Sequence, residues 1–264
     1  MRIFITVILI FLIISCDNSL KLRIKDDYHP NKSTAQLLES LQKAYSLNNA
    51  DSLKIFFTEW NRSIKPNSNE FINQSTIIQS VYSIYKLFYK PTNPSDLGKW
   101  EKFHLHAIDS SFLIIQNNII YILLNNQEFN TLDKWDILKR LNKKNLKVYL
   151  INHFRPPLKI DKKEVLYLEE EYDESLNQFL STNSGEQESQ KKRCFFKPYA
   201  DLLPGHWGKY WHIDTHPSVE FILFNDSITK ARILFRYGYQ GGETTLVKAN
   251  SDWKITASKS TWIE

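Results

Sequence analysis

The chain has 264 residues, a net charge of +5, and 42% hydrophobic and 14% aromatic side chains. That supplies enough apolar material for one large core and excludes a disordered chain, while the small, scattered positive surplus gives no basis for a nucleic-acid interface. With only Cys16 and Cys194 present, a scaffold stapled by several disulfides is excluded as well.

The chain opens Met1-Arg2, runs apolar from Ile3 to Ile14 and places Ser15 before Cys16. A basic start, a short apolar stretch and a small residue are the parts of an export signal. A helix of about 12 residues rises roughly 18 Å, short of the ~30 Å hydrocarbon core, which argues against a retained span. The tetrad Ile13-Ile14-Ser15-Cys16 resembles the lipobox of bacterial lipoproteins. The resemblance implies that residues 1–15 are a signal peptide, that Cys16 is the lipid attachment site, carrying palmitate or similar chains, and that the protein is anchored in the cell envelope, in the outer membrane rather than the inner. An ordinary cleaved signal and a retained anchor are the alternatives. Export also excludes nucleic acid as a partner.

Residues 16–32 are polar and lack periodicity, as a tether does. A helix-rich α+β subregion is expected over 33–180. Ser33 with Gln36 is a capping-box pattern, followed by Leu37, Leu38, Leu41 and Tyr45 on one face. Asn48-Asn49-Ala50-Asp51 ends that helix and caps a second, in which Leu53, Phe56, Phe57, Trp60 and Ile64 recur at helical spacing until Pro66. A third fits Ser75 to Tyr89. The aromatic stripe of Phe56, Phe57, Trp60, Tyr82, Tyr85 and Tyr89 reads as core rather than a ligand box.

Phe112–Ile115 and Ile119–Leu123 read as a β-hairpin turning at Asn117-Asn118. A helix near Leu132–Leu141 follows, its basic end at Lys139–Lys147 forming a solvated face, then strands at Val148–Ile151 and Val165–Leu168 and a helix over Glu170–Leu180 with acids in its first turn. Residues 181–192, rich in Gly, Ser and Gln, read as a surface loop. Cys194, among aromatic neighbours, reads as a buried structural thiol. An antiparallel-sheet subregion is expected over 193–264, with strands at Val219–Phe224, Ala231–Tyr239, Glu243–Lys248 and Trp253–Ile263, and turns at Asn225-Asp226-Ser227, Gly241-Gly242 and Asn250-Ser251-Asp252. The predicted class is α+β: N-terminal helices with hairpins, then a twisted antiparallel sheet, in one compact unit. Trp253 and Trp262 are both expected in the core of the last strand.

Two resemblances attach to this C-terminal part. Ala231-Arg232-Ile233-Leu234-Phe235, Gly241-Gly242-Glu243, Leu246-Val247-Lys248 and Asp252-Trp253-Lys254-Ile255 look like the closing strands of nuclear-transport-factor-two-like domains, which implies a cone-like sheet wrapped around helices. Gly205-His206-Trp207-Gly208, then Tyr210-Trp211-His212, with Thr261-Trp262-Ile263-Glu264 last, resembles a group of uncharacterised bacterial envelope lipoproteins. Neither implies a specific activity.

Chemistry-bearing residues are densest over 205–217. If 210–216 is extended, the two-residue period puts Tyr210, His212, Asp214 and His216 on one exposed face, with His206 able to join only if its loop folds back. Two imidazoles and a carboxylate suit a divalent metal or acid–base work, but a closed zinc site needs four ligands, so no metal and no cofactor is expected. Arg155, between His153 and Pro156-Pro157, is a guanidinium on a rigid turn, suited to an anion or to a neighbouring glutamate. Arg232 and Arg236 share a strand face and pose the same choice. Phosphate loops, nucleophile elbows and paired-cysteine metal signatures are absent. The leading expectation is a non-catalytic binding module for an envelope protein or small ligand; a hydrolase using His212, Asp214 and His216 is the alternative.

Overall fold

The computed structural model describes residues 30–89, 111–142, 146–160, 162–181, 186–200, 202–204, 211–213, 217–237 and 240–263. The first helices begin where the caps predict. In α1 (Thr34–Ser46) the Ser33 hydroxyl accepts from the Gln36 amide while the Gln36 side chain accepts from the Ser33 amide at 2.9 Å. Asn49 caps α2 (Ala50–Ser63), Ser68 the short α3 (Asn69–Asn73) and Ser75 α4 (Thr76–Phe88), each accepting an otherwise orphaned first-turn N–H. The aromatic stripe of α2 and α4 is core, as expected: Phe56, Phe57, Trp60, Tyr82, Tyr85 and Tyr89 are all buried.

The next segment departs from the predicted hairpin. Strands β1 (Phe112–Gln116) and β2 (Ile119–Leu124) form at the expected positions but do not pair with each other. β1 runs parallel to a later strand, β4 (Glu164–Leu168), while β2 lies between β3 (Lys147–Ile151) and β7 (Ser218–Asn225), antiparallel to the first and parallel to the second. Phe112 to Ile115 are buried at every position, so they alternate nothing, and a strand buried on both faces belongs inside a layered structure rather than in a surface hairpin. The last residue of β1 instead links the two sheets. The Gln116 side chain behaves like a strand backbone towards Val219, donating to its carbonyl at 2.9 Å and accepting from its amide at 2.6 Å, and so bolts the small sheet to the large one.

The large sheet has the order β10-β9-β8-β7-β2-β3, with β8 (Lys230–Tyr237), β9 (Gln240–Ala249) and β10 (Asp252–Ile263) completing an antiparallel meander. A two-stranded ribbon, β5 (Leu203–Pro204) with β6 (Trp211–His212), stands apart. The α+β class, helices first and antiparallel sheet last, is as expected. Strands of the first subregion join that sheet through the parallel β2–β7 pair.

Helices cover both faces of the sheet. On one face α1, α2, α4 and α7 (Glu170–Leu180) pack with Ala231, Ile233, Phe235 and Tyr237 of β8, which alternate inward as predicted. On the other, α5 (Asn126–Thr131) and α6 (Lys134–Asn142) bury Phe129 and Ile137 against Ile122, Phe221, Leu223 and Leu234. A bulge between Val219 and Phe221 changes the parity of β7, sending Val219 to the first face and Phe221 to the second.

Four further expectations are corrected. Gly241-Gly242 is no turn but lies within β9: a Cβ at Gly241 would sit 1.9 Å from the Trp262 ring and one at Gly242 would sit 2.5 Å from the Phe235 ring. Glycine stands there because an aromatic ring lies flat on each side of the strand. Trp262 is accordingly half-buried on the α6 side, its ring also under the Lys134 ammonium at 4.1 Å, while Trp253 belongs to the main core against Phe224. The two lie an odd number of register steps apart, so one strand cannot aim both at the same core. Of the predicted loop 181–192, residues from Gln187 onward open α8 (Gln187–Phe196), whose Gln, Glu and Lys are good helix formers despite lacking an apolar period. That helix turns Ser189, Arg193 and Phe196 inward, which leaves Cys194 exposed rather than buried.

Burial also has a consequence for alkaline stability. Loss of hydration pushes the Tyr121 hydroxyl up to about 12, with Tyr149 stacked at 4.9 Å adding to the shift, and raises Tyr167 and Tyr172 too. Tyrosines that hold their protons longer folded than unfolded leave stability intact below about pH 10 and withdraw it as pH climbs towards the folded values. The thermal midpoint is therefore expected to stay level up to about pH 10 and fall steeply above it. Phenolate absorbance should rise together with loss of the circular-dichroism signal. Full phenolate formation in an intact fold would contradict this.

Candidate functional site

Of the residues singled out over 205–217, His206, Tyr210, Asp214 and His216 lie outside the described residues, as does Cys16. His212 lies in β6, opposite Leu203, and is half-buried where exposure was expected; Ile213 beside it is buried in the main core. That anchoring pulls the ribbon inward and His212 with it.

The described residues build a cluster around the Arg155 turn. After β3 the chain bends through His153, whose φ of 50° is left-handed, into Phe154 and Arg155. Pro156 and Pro157 then keep the segment from continuing as regular structure. Asn67 grips the turn as a strand neighbour would: its amide donates to the Arg155 carbonyl at 2.8 Å and its side-chain oxygen accepts from the Arg155 amide at 2.6 Å. The Tyr82 hydroxyl donates to that same oxygen at 2.7 Å. From the other side the Tyr167 hydroxyl donates to the Pro156 carbonyl at 2.8 Å.

At the centre sits Glu169, 1% exposed, at the residue that precedes α7. The positive end of a helix favours negative charge at that place. Oε2 of Glu169 lies 2.7 Å from Nδ1 of His153 and accepts from Nδ2 of Asn117 at 2.8 Å. Oε1 faces the Arg155 guanidinium at 4.0 Å, too long for a hydrogen bond. Arg155 thus finds the neighbouring glutamate that its sequence context allowed, but the closer partner is the histidine. Asn117 comes from the β1–β2 connection, His153 and Arg155 from the segment after β3, and Glu169 from the β4–α7 junction. An imidazole held at Nδ1 by a buried carboxylate is the orienting half of an acid–base arrangement, and a left-handed backbone at a non-glycine residue recurs at functional sites. In the sequence His153 stands two residues before Arg155 and Glu169 ahead of an acidic first helical turn, but nothing in that spacing joins the two.

Arg232 is absorbed by the fold. Its Nε and one terminal nitrogen donate to the two Glu243 oxygens at 3.0 and 2.7 Å, and the other donates to the carbonyls of Phe129 and Leu132 at 2.8 Å each. It ties the end of α5 to the sheet, which leaves no fork for an anion.

Among the described residues no three His, Cys, Asp or Glu side chains are grouped to hold a metal ion, and no helix is long and apolar enough to cross a membrane. No known protein family, no curated protein and no solved structure matches this chain.

Proposed function

We propose that the protein is a lipid-anchored component of a bacterial cell envelope, held by acyl chains on Cys16, whose folded part binds a partner protein or small ligand through its sheet. The observation that carries the anchoring is the order Arg2, apolar run, Ser15, Cys16 at the start of the chain. Binding rather than chemistry is supported by how the charged groups of the described sites are used. Arg232 is spent on Glu243 and backbone carbonyls, Arg140 on Glu128, and Lys134 on Glu220. Recognition surface is supplied by β10, where Thr256, Ala257, Lys259, Ser260 and Thr261 are exposed along one strand.

Cys16→Ala tests this reading. Stable attachment takes two acyl chains at about 0.8 kcal/mol per buried methylene, one being marginal. Labelled palmitate is expected on the wild-type chain and not on the variant, and the variant should accumulate as an unprocessed precursor in the membrane fraction. A variant that is processed normally, beside a wild type that takes no label, would rule the lipid anchor out.

A further inference from the structure

We propose that the His153–Glu169 contact is a proton-operated latch, fastened most firmly when the imidazole is charged. The proposal stands apart from the anchoring and binding reading. One carboxylate oxygen, Oε2 of Glu169, ties three chain segments, taking Asn117 at 2.8 Å and His153 at 2.7 Å while its own residue opens α7. The two partners differ in access to water: the His153 side chain is 36% exposed and that of Glu169 1%. Solvent protons therefore reach the imidazole, but water does not reach the carboxylate to weaken the contact. A neutral imidazole gives Glu169 an ordinary hydrogen bond; an imidazolium gives it a charge-assisted one, roughly twice as strong.

Arg155 and Tyr167 are charged or titratable groups beside this contact. The Arg155 guanidinium, 4.0 Å from Oε1, opposes a second positive charge at His153, but it acts across the carboxylate whereas Glu169 touches the ring directly. Tyr167 stays neutral, its ionisation pushed well up by burial, and its hydroxyl is engaged by Pro156. A carboxylate in direct contact favours the charged imidazole. On this proposal the contact adds stability that is complete while the imidazole is charged and disappears as rising pH removes its proton.

The test follows ring resonances of histidine-labelled full-length chain in detergent micelles across the neutral range, with His153→Asn identifying the His153 signal. Asparagine tolerates the left-handed backbone and does not titrate. The proposal expects His153 to keep its proton above the unperturbed histidine range of about 6.5, and Glu169→Gln to make it lose the proton at lower pH than in the wild type. The thermal midpoint of wild type relative to His153→Asn should rise by a few degrees between about pH 8 and pH 6. A wild-type His153 titrating at or below about 6.5, or a midpoint difference that is the same at both pH values, overturns the latch. Should Glu169→Gln fail to fold, the wild-type titration and the asparagine comparison decide the matter by themselves.

Discussion

Trp60→Ala is expected to lower the thermal midpoint by about 10 °C, the largest loss among single substitutions in α2. Trp60 is fully buried, stacked on Tyr172 at 4.3 Å and 12° and flanked by Phe56 and Phe57, so its removal leaves a cavity bordered by rings that cannot collapse into it. Large-to-small changes of this kind cost about 3–5 kcal/mol against a total of roughly 5–15 kcal/mol for an ordinary domain. A second loss is polar: the indole N–H donates to the Tyr167 carbonyl at 3.0 Å, across the boundary between α2 and β4. Trp60→Phe separates the two, keeping most of the packing while orphaning that carbonyl, and should fall between wild type and alanine. Trp135, 57% exposed on α6, is the control, and Trp135→Ala is expected to shift stability by no more than about 0.5 kcal/mol. Equal losses at Trp60 and Trp135 in thermal unfolding followed by circular dichroism would mean that α2 does not pack as described.

What the sequence shows and what it hides divides along the range of the interactions. Ser33, Asn49 and Ser75 cap helices through bonds to amides three residues away, so local pattern finds those starts. The alternation of Ala231, Ile233, Phe235 and Tyr237 is equally local and marks the inner face of β8. Pairing is not local. Phe112–Ile115 looks the same whether it folds back on Ile119–Leu123 or lies beside Glu164–Leu168, and only the burial of all four side chains in the fold tells the two apart. Gly241-Gly242 carries the composition of a turn because glycine serves both turns and close approach; only the rings of Trp262 and Phe235 tell the two apart. The candidate site divides in the same way. Arg155 is legible from the two prolines that follow it, whereas the link from His153 to Glu169 depends on how β4 and α7 dock, which no spacing encodes.

Arg232 offers the second large effect, and one that tests geometry rather than charge. The Arg232 and Glu243 side chains are 11% and 12% exposed and meet diagonally across β8 and β9, where Arg232 faces Thr245 and Glu243 faces Leu234, through two parallel hydrogen bonds. Alanine at 232 strands a nearly buried carboxylate and two carbonyls, those of Phe129 and Leu132, which end α5 and are otherwise drawn to the guanidinium. Breaking one partner of a buried pair costs about 3–5 kcal/mol because the other charge is left uncompensated. Arg232→Lys keeps the charge, but a single ammonium cannot form the paired bonds to Glu243 and also reach both carbonyls, so it should recover less than half of the loss. The double variant Arg232→Met with Glu243→Leu removes both charges together and should be more stable than Arg232→Ala alone, since like-sized apolar pairs often replace buried ion pairs without loss. Full rescue by lysine in chemical denaturation would show that Arg232 acts as a point charge. A double variant no more stable than Arg232→Ala would show that the damage comes from the α5 carbonyls rather than from the stranded glutamate.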